Sequence, residues 1–492
     1  MQAAAGNRPH AALLASPGMG HLIPVLELGK RLVTHHDIAV TIFVVATDAA
    51  TTKSLLKSCP TANFSIVPLP AVDVSHHVDP SDHIVTKLLV MMRHSIPSLR
   101  SAISAMADPP TALIVDIFGT STFPVADELG MLKYAFDTTT AWFLATTVYG
   151  SSAEDEVARH VNSRTPLVVP GCKPVRFEDT LDAYEAMGDR VFDEFQRVGV
   201  ELATADGILV NTWEEMEGKT LEALRNRKAL KDVVRAPVYP VGPLVRPSPP
   251  LKTNEPNDVV EWLDGQPDRS VIYVSFGSGG TLPRAQLAEL AWGLELSGQR
   301  FVWVVRPPPV EDGDVSAAFF SLEEESGSQG PHRYLPEGFL SRTHDRGLVV
   351  PMWAPQAEIL AHPAVGGFLS HCGWNSTLES LTNGVPMVVW PLYAEQKLNA
   401  ALLAEELQVA VRPGYNNGGV VKREEIEEMV RRVMVAKEEE GKAMRERVME
   451  LKESGERALS RKLKGSSYSA LAQVARELEL NHQRVVAKAR GA

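Results

Sequence analysis

Cysteine is scarce: only Cys59, Cys172 and Cys372 occur in 492 residues, with no CxxC pair. That excludes a disulfide framework and argues against a structural zinc site, so a reducing compartment is the expected setting. A cationic excess is missing as well. Lys and Arg number 49 against 61 Asp and Glu, a formal net charge of −12. Phosphate backbones and anionic membranes are repelled overall, and nucleic acid is not expected as a partner. No run reaches the ~20 apolar residues of a membrane span, and positions 1–9 lack the basic-then-apolar order of a signal peptide. A cytoplasmic protein is expected. What is present is an ordinary globular balance, 44% hydrophobic and 22% charged, in a chain long enough for about two or three domains.

Strand-like apolar runs alternate with helix-length amphipathic segments, the pattern of parallel sheets covered by helices, so the fold class is α/β. The first unit reads as a strand over 10–16, a turn at Pro17-Gly18-Met19-Gly20 and a helix over 21–33. Further strands are expected at 39–45, 112–116 and 207–211, with helices such as 82–92 between some of them. Around 246–258 the chain becomes polar and loses periodicity after a proline-rich stretch, the mark of a linker. A second α/β series follows, with strands near 271–276, 301–306, 348–351, 367–370 and 387–390. The segment 307–332, rich in Pro, Gly, Ser and Glu, reads as a surface insertion. The stretch 422–480 reads as charge-dense helix with an apolar stripe.

Polar clusters stand where the predicted strands end, the edge at which open parallel sheets bind ligands. Trp353-Ala354-Pro355-Gln356 follows one strand, and its indole is suited to stack on a planar base, or else to fill a core. After 367–370 comes His371-Cys372-Gly373-Trp374-Asn375-Ser376, then a helix over about 377–382. Free amide N–H groups and the positive end of that helix favour an anion, and His371, Asn375 and Ser376 add donors. Glu379 falls on the helix face of Asn375 and Ser376, where its carboxylate suits two vicinal ribose hydroxyls. Ser376-x-x-Glu379 fits a capping box equally well. Glu395-Gln396, after 387–390, sets a carboxylate beside an amide. That pairing suits sugar hydroxyls, or an ordinary solvated loop.

At the other end of the chain, His21 follows Gly18-Met19-Gly20 at a predicted helix N-terminus, where the helix dipole disfavours the imidazolium. It is the best base in the sequence. Asp116 closes the strand 112–116, from where a carboxylate can fix an imidazole tautomer and stabilise its protonated form. A capping histidine and a strand-end aspartate are the plainer alternatives. Gly18-x-Gly20 and Gly277-Ser278-Gly279-Gly280 each follow a strand, but Ile23 and Leu282 occupy the third glycine position of a dinucleotide fingerprint. An oxidoreductase and a non-catalytic nucleotide-sugar binder are therefore the rival readings.

Taken together, WAPQ, HCGWNS, GVP, WP and a closing acidic-Gln pair within 353–396 resemble the plant family 1 UDP-glycosyltransferases. SPGMGHLIP, VDIFGT, ILVNTWEE, YPVGPL, VSFGSGG and LPEGF extend the likeness over nearly the whole chain, which is most similar to the hydroquinone and monolignol glucosyltransferase group. The resemblance implies the GT-B arrangement, two facing Rossmann-like domains with a cleft between them. The expected division is 1–245 for acceptor binding, the linker 246–258, 259–465 for the UDP-sugar, and a C-terminal helix region, 466–492, packing back on the first domain.

By the same resemblance Trp353, with Ala354 beside it, meets uracil, and Gln356 and Glu379 hold the ribose. His371, Asn375, Ser376 and Ser278 hold the diphosphate, and Trp374, Glu395, Gln396 and Thr140 bind the sugar. His21 and Asp116 match the family's catalytic dyad. The implied reaction is inverting transfer of glucose from UDP-glucose to a small phenolic or similar aglycone, giving a β-glucoside, with no metal and no cofactor beyond the donor. Phe118 and Trp142 are candidates for the acceptor wall or for buried packing. Ser370 stands where the family usually has Thr, and Glu395 where it often has Asp, and both changes keep the chemistry. A terminal Gln, as in similar enzymes, favours glucose over galactose. Asp312-Gly313-Asp314, the only DxD run, falls in the acidic insertion and reads as solvated loop. The expected partners are a UDP-sugar and a small hydrophobic aglycone, and the expected state is a monomer.

Overall fold

The computed structural model describes residues 8–45, 63–79, 81–231, 233–246, 257–309, 330, 333–414, 419–435 and 439–491. The chain divides into two units. The first comprises Met1–Phe177, Ala183–Val245 and Gly455–Ala492, and the second comprises Glu178–Asp182 and Arg246–Ser454. Most of the expected linker, most of the 307–332 insertion with its DxD run, and Cys59 lie outside the described residues.

In the first unit β1 (His10–Ala15), β2 (Ala39–Val45), β3 (Phe64–Leu69), β4 (Ala112–Asp116), β5 (Leu132–Asp137), β6 (Gly207–Val210) and β7 (Val238–Pro240) form one sheet in the order β3-β2-β1-β4-β5-β6-β7. Every pairing is parallel. Parallel strands are covered on both faces and so read as unbroken apolar runs; in β1, His-Ala-Ala-Leu-Leu-Ala, all six residues are buried. The helix Met19–His36 presses Leu22, Val25, Leu28 and Leu32 onto Leu13, Val40 and Ile42. The helix Ser466–Gly491 adds Leu471, Val474 and Leu478 to the same core. Its Glu477 accepts hydrogen bonds from the Tyr134 hydroxyl at 2.6 Å and the Tyr239 hydroxyl at 2.7 Å.

The second unit repeats the plan. Its strands β8 (Val271–Ser275), β9 (Arg300–Val305), β10 (Gly347–Pro351), β11 (Val365–Ser370), β12 (Met387–Val389) and β13 (Ala410–Val411) run parallel in the order β10-β9-β8-β11-β12-β13. The helices Arg284–Ser297 and Arg423–Met434 close its core with Leu290, Leu294, Ile426 and Val430. Each sheet has one place where the strand order reverses, between β1 and β4 and between β8 and β11. Connections leave such neighbours in opposite directions and open a crevice beyond their carboxyl ends. The α/β class and the two Rossmann-like halves are those expected.

Differences from the sequence reading lie at element ends, at sheet edges and at the interior strand β5. Strands β3, β5, β7 and β13 were not among those expected; β3 carries Pro68, a residue that an edge strand tolerates. The 422–480 stretch is not one helix: Arg423–Met434, Glu439–Leu459 and Ser466–Gly491 are separate. The last break falls at Lys464, held at φ 50, followed by Gly465, the left-handed stop that ends helices. Among the described residues no helix is long and apolar enough to cross a membrane.

Candidate active site

The crevice of the first sheet is flanked by the two residues singled out as a base and its partner. Pairing of Leu14 with Val115 sets the ends of β1 and β4 side by side. Beyond β1 the chain turns through Gly18, at φ 105, into the helix Met19–His36. His21 is thus the third residue of that helix, two positions further in than expected. Asp116, with its side chain wholly buried, accepts hydrogen bonds from Ser16 N at 2.6 Å, Ser16 Oγ at 2.5 Å and Phe118 N at 3.1 Å. These three donors lock the carboxylate in place. Its Oδ2 lies 3.5 Å from His21 Nδ1. The imidazole is 16% exposed, and burial pushes its pKa below the usual histidine value against the raising effect of Asp116. A neutral ring near pH 7 follows. The position beside a helix start was legible in the sequence, but the burial that dominates the shift was not.

Phe118 packs its ring 4.9 Å from that of His21 and is otherwise buried. Thr140 and Trp142 stand after β5 and are almost wholly buried, at 0% and 3% exposure. Thr140 Oγ1 caps the helix Ala141–Gly150 by accepting from Phe143 N at 2.9 Å. Glu217 completes the cap, accepting from Ala141 N and Trp142 N at 3.0 Å each, and burial pushes its pKa up to about 6. Ser16 and Glu217 were missed by sequence reasoning. Ser16 had a signal, being the polar residue that ends an apolar strand.

In the second unit three loops rise from β10, β11 and β12. Trp353 is 67% exposed after β10, so the core alternative is excluded. Ala354 is buried and its carbonyl accepts from Gln356 N at 2.9 Å. Gln356 Nε2 then donates to Ser376 Oγ at 2.9 Å and to Glu379 Oε2 at 2.7 Å. Burial raises the Glu379 pKa, with the Gln356 bond opposing. The helix after β11 runs Trp374–Asn383 with Gly373 at its N-cap, so it starts three residues before the expected 377. Ser376 is therefore inside the first turn and no capping box forms: Ser376 and Glu379 are joined through Gln356 instead. Trp374 is buried, and Asn375 and Ser376 share the same first turn.

His371 lies between two glycines. A Cβ added at Gly277 would come 2.5 Å from its Cε1, and one at Gly373 would come 2.5 Å from its Nε2. Only glycine admits the ring there. Burial pushes the His371 pKa down to about 4, and Nδ1 has no hydrogen-bond partner among the described residues. Ser278 follows Gly277 and is exposed. Beyond β12, Gln396 Oε1 accepts from Leu392 N at 2.9 Å and Tyr393 N at 3.2 Å. Its amide orientation is fixed, with the NH2 as the remaining donor. Burial raises the pKa of Glu395, whose Oε1 accepts from Asn399 Nδ2 at 3.3 Å. Asp182, which sequence reasoning passed over, accepts from Ala394 N at 2.5 Å and pairs with Lys397 Nζ at 3.1 Å.

The three loops share a backbone device. Met352, Cys372 and Ala394 have φ of 62, 67 and 59, one left-handed non-glycine residue in each. Such residues cost about 1–3 kcal/mol apiece and gather at functional sites. The second unit thus offers an exposed indole, a fixed amide–carboxylate cluster, a helix N-terminus with a buried imidazole, and a fixed amide beside a buried carboxylate. That set suits a base, vicinal hydroxyls, an anion and further hydroxyls.

Comparison with known proteins gives the same direction. A family model described as UDP-glucoronosyl and UDP-glucosyl transferase matches residues 249–451. The chain is 54% identical over 434 residues to UDP-glycosyltransferase 72E1 of Arabidopsis thaliana, covering 87% of this chain and 88% of the relative. It is 42% identical over 435 residues to a hydroquinone glucosyltransferase of Rauvolfia serpentina, covering 87% and 90%. Among solved structures, TcCGT1 in complex with UDP superposes with a TM-score of 0.88 at 46% identity, covering 97% of this chain and 100% of that one.

Proposed function

The chain belongs to the UDP-glycosyltransferase family, an enzyme family whose GT-B fold it shares, and on that premise we propose that it transfers glucose from UDP-glucose to a hydroxyl of a small phenolic aglycone. The observation that carries the mechanism is the His21–Asp116 pair at 3.5 Å, with a largely buried imidazole held neutral and a carboxylate fixed by three donors. With Nδ1 facing Asp116, that nitrogen carries the ring proton and Nε2 keeps the free lone pair.

Nε2 takes the acceptor's proton as the acceptor oxygen bonds to the anomeric carbon. The bond from that carbon to the diphosphate oxygen breaks, and its electron pair leaves with UDP. Attack from the far face inverts α to β. Asp116 stabilises the imidazolium that forms, and the leaving-group charge falls on the His371–Ser376 turn, so the reaction is proposed to need no metal. Trp353 takes uracil, Gln356 and Glu379 the ribose, and His371, Asn375, Ser376 and Ser278 the diphosphate. Trp374, Glu395, Gln396 and Thr140 take the sugar, and Phe118 and Trp142 wall the aglycone. The name of the Rauvolfia serpentina relative supports a phenol as acceptor and glucose as the sugar. A monomer in the cytoplasm completes the reading, supported by the scarcity of cysteine and the net charge of −12.

The test is mass spectrometry of purified protein with UDP-glucose and a phenol panel including hydroquinone, in EDTA, beside His21→Ala. A hexose adduct with the wild type, falling about 100-fold or more in the variant, is the expected outcome for loss of a general base. Equal activity in His21→Ala would refute the mechanism, and UDP-glucose binding with no adduct on any acceptor would refute phenol transfer.

A further inference from the structure

Strand β9 ends at Val305, and Arg306 follows at the carboxyl edge of the second sheet. Arg306 lines a small cavity with Gly277, Gly280, Thr281 and Val305. Two of these residues tie the cavity to the loops already described. Gly277 is the residue against which the His371 ring lies, and a Cβ at Gly280 would come 2.8 Å from Leu392 Cδ1, in the loop after β12. The loop following β8 thus borders both the cavity that Arg306 lines and, through Gly277, the His371 ring.

Arg306 is half-buried, its Nε is shut off from water, and that atom has no hydrogen-bond partner among the described residues. The neighbour that acts on its charge is the Tyr393 hydroxyl, and no described carboxylate forms an ion pair with it. The two acids of the neighbouring loops have partners of their own, Glu379 with Gln356 and Glu395 with Asn399. A cation withdrawn from water without a counter-ion is costly. Such an arrangement makes physical sense where the counter-ion arrives with a ligand.

We propose that Arg306 is a donor-binding residue that pairs with the diphosphate of the nucleotide sugar. The inference rests on the donor reading above and adds to it a full positive charge from the β9 end, where the β11 turn itself offers partial charges and a neutral imidazole. A guanidinium presents several N–H donors in a fixed fork that matches phosphate oxygens. As the sugar–oxygen bond breaks, negative charge grows on the terminal phosphate. Arg306 therefore holds the transition state more tightly than the bound donor and acts on kcat as well as on KM.

The experiment is calorimetric titration of wild type, Arg306→Gln and Arg306→Lys with UDP, UMP and uridine, paired with thermal unfolding of the ligand-free proteins. Arg306→Gln should bind UDP about 10- to 100-fold more weakly, the ratio of a lost charge-assisted hydrogen bond, with uridine affinity unchanged. Arg306→Lys should recover part of the loss. Ligand-free Arg306→Gln should unfold no lower than wild type, because the change removes a half-buried charge that has no ion-pair partner among the described residues. UDP binding equal to wild type in Arg306→Gln would overturn the proposal. So would parallel losses for uridine and UDP, or a lowered unfolding temperature that accounts for the loss. Failure of the wild type itself to bind UDP would overturn the donor reading, a result distinct from all of these.

Discussion

Replacing Asp116 by asparagine separates the charge of the carboxylate from its shape. The asparagine carbonyl oxygen can take the place of Oδ2 and still accept from Ser16 N and Oγ, which now lie at 2.6 and 2.5 Å. Its NH2 then meets Phe118 N, at present a donor 3.1 Å from Oδ1. Two donors face each other, and an unsatisfied buried N–H costs about 1–3 kcal/mol of stability. The catalytic effect comes from the other side. Unit charges 3.5 Å apart attract by about 5 kcal/mol at an effective dielectric of about 20, the ceiling on what Asp116 contributes to an imidazolium transition state. The asparagine dipole retains part of that attraction, so kcat/KM for glucoside formation should fall by about 100- to 1000-fold. The pH profile carries a sign. A base works only when neutral, so activity falls as pH drops through the His21 pKa, which burial lowers and Asp116 raises. Asp116→Asn removes the raising effect, and the acid limb should move to lower pH while the plateau drops. A plateau within threefold of wild type, or an acid limb displaced to higher pH, would refute the reasoning.

Trp353→Ala should leave stability within about 0.5 kcal/mol, since a mostly exposed side chain is removed, while UDP affinity drops by the ~1–3 kcal/mol of one base–aromatic stack; unaltered calorimetric affinity would remove Trp353 from the donor site. Gly277→Ala places a Cβ 2.5 Å from His371 at a φ of 77, and should displace the imidazole and weaken UDP binding at least tenfold in the same titration. Glu477→Ala leaves the Tyr134 and Tyr239 hydroxyls without their acceptor and should destabilise the first unit by about 2–6 kcal/mol in denaturant titration, at about 1–3 kcal/mol for each lost bond. Donor affinity measured well below the unfolding temperature should be retained.

What the sequence made legible follows from which interactions are local. The strand at 112–116 could be read outright because five apolar or terminal residues between turn signals leave one reading, and β4 matches it residue for residue. The spacing of Trp353, Gln356, Ser376 and Glu379 suggested a nucleotide, but Ser376-x-x-Glu379 admitted a cap. Only the long-range bond from Gln356, across 20 and 23 residues, decides between them. Helix starts slipped where a glycine serves as N-cap, as Gly18 and Gly373 do, because glycine carries no side-chain signal. Strand order was out of reach for a similar reason. His21 meets Asp116 because β1 and β4 are neighbours in the sheet, a fact of crossover topology that no local pattern encodes. The partners that fix the functional groups, Ser16, Asp182 and Glu217, are ordinary polar residues until the fold shows what they touch.

The left-handed residues Met352, Cys372 and Ala394 bear on how the enzyme wears out under heat. Each loop keeps an unfavourable backbone shape only because a rigid strand end and a close-packed helix start hold it on either side, so the loops are poised to relax before the sheet melts. Inactivation and unfolding should therefore part company on a temperature ramp: donor binding should disappear a few degrees below loss of the circular dichroism signal, and reversibly so if the sample is cooled between the two. The expected consequence is a working temperature set by the loops that hold these three residues, below the melting point of the two sheets.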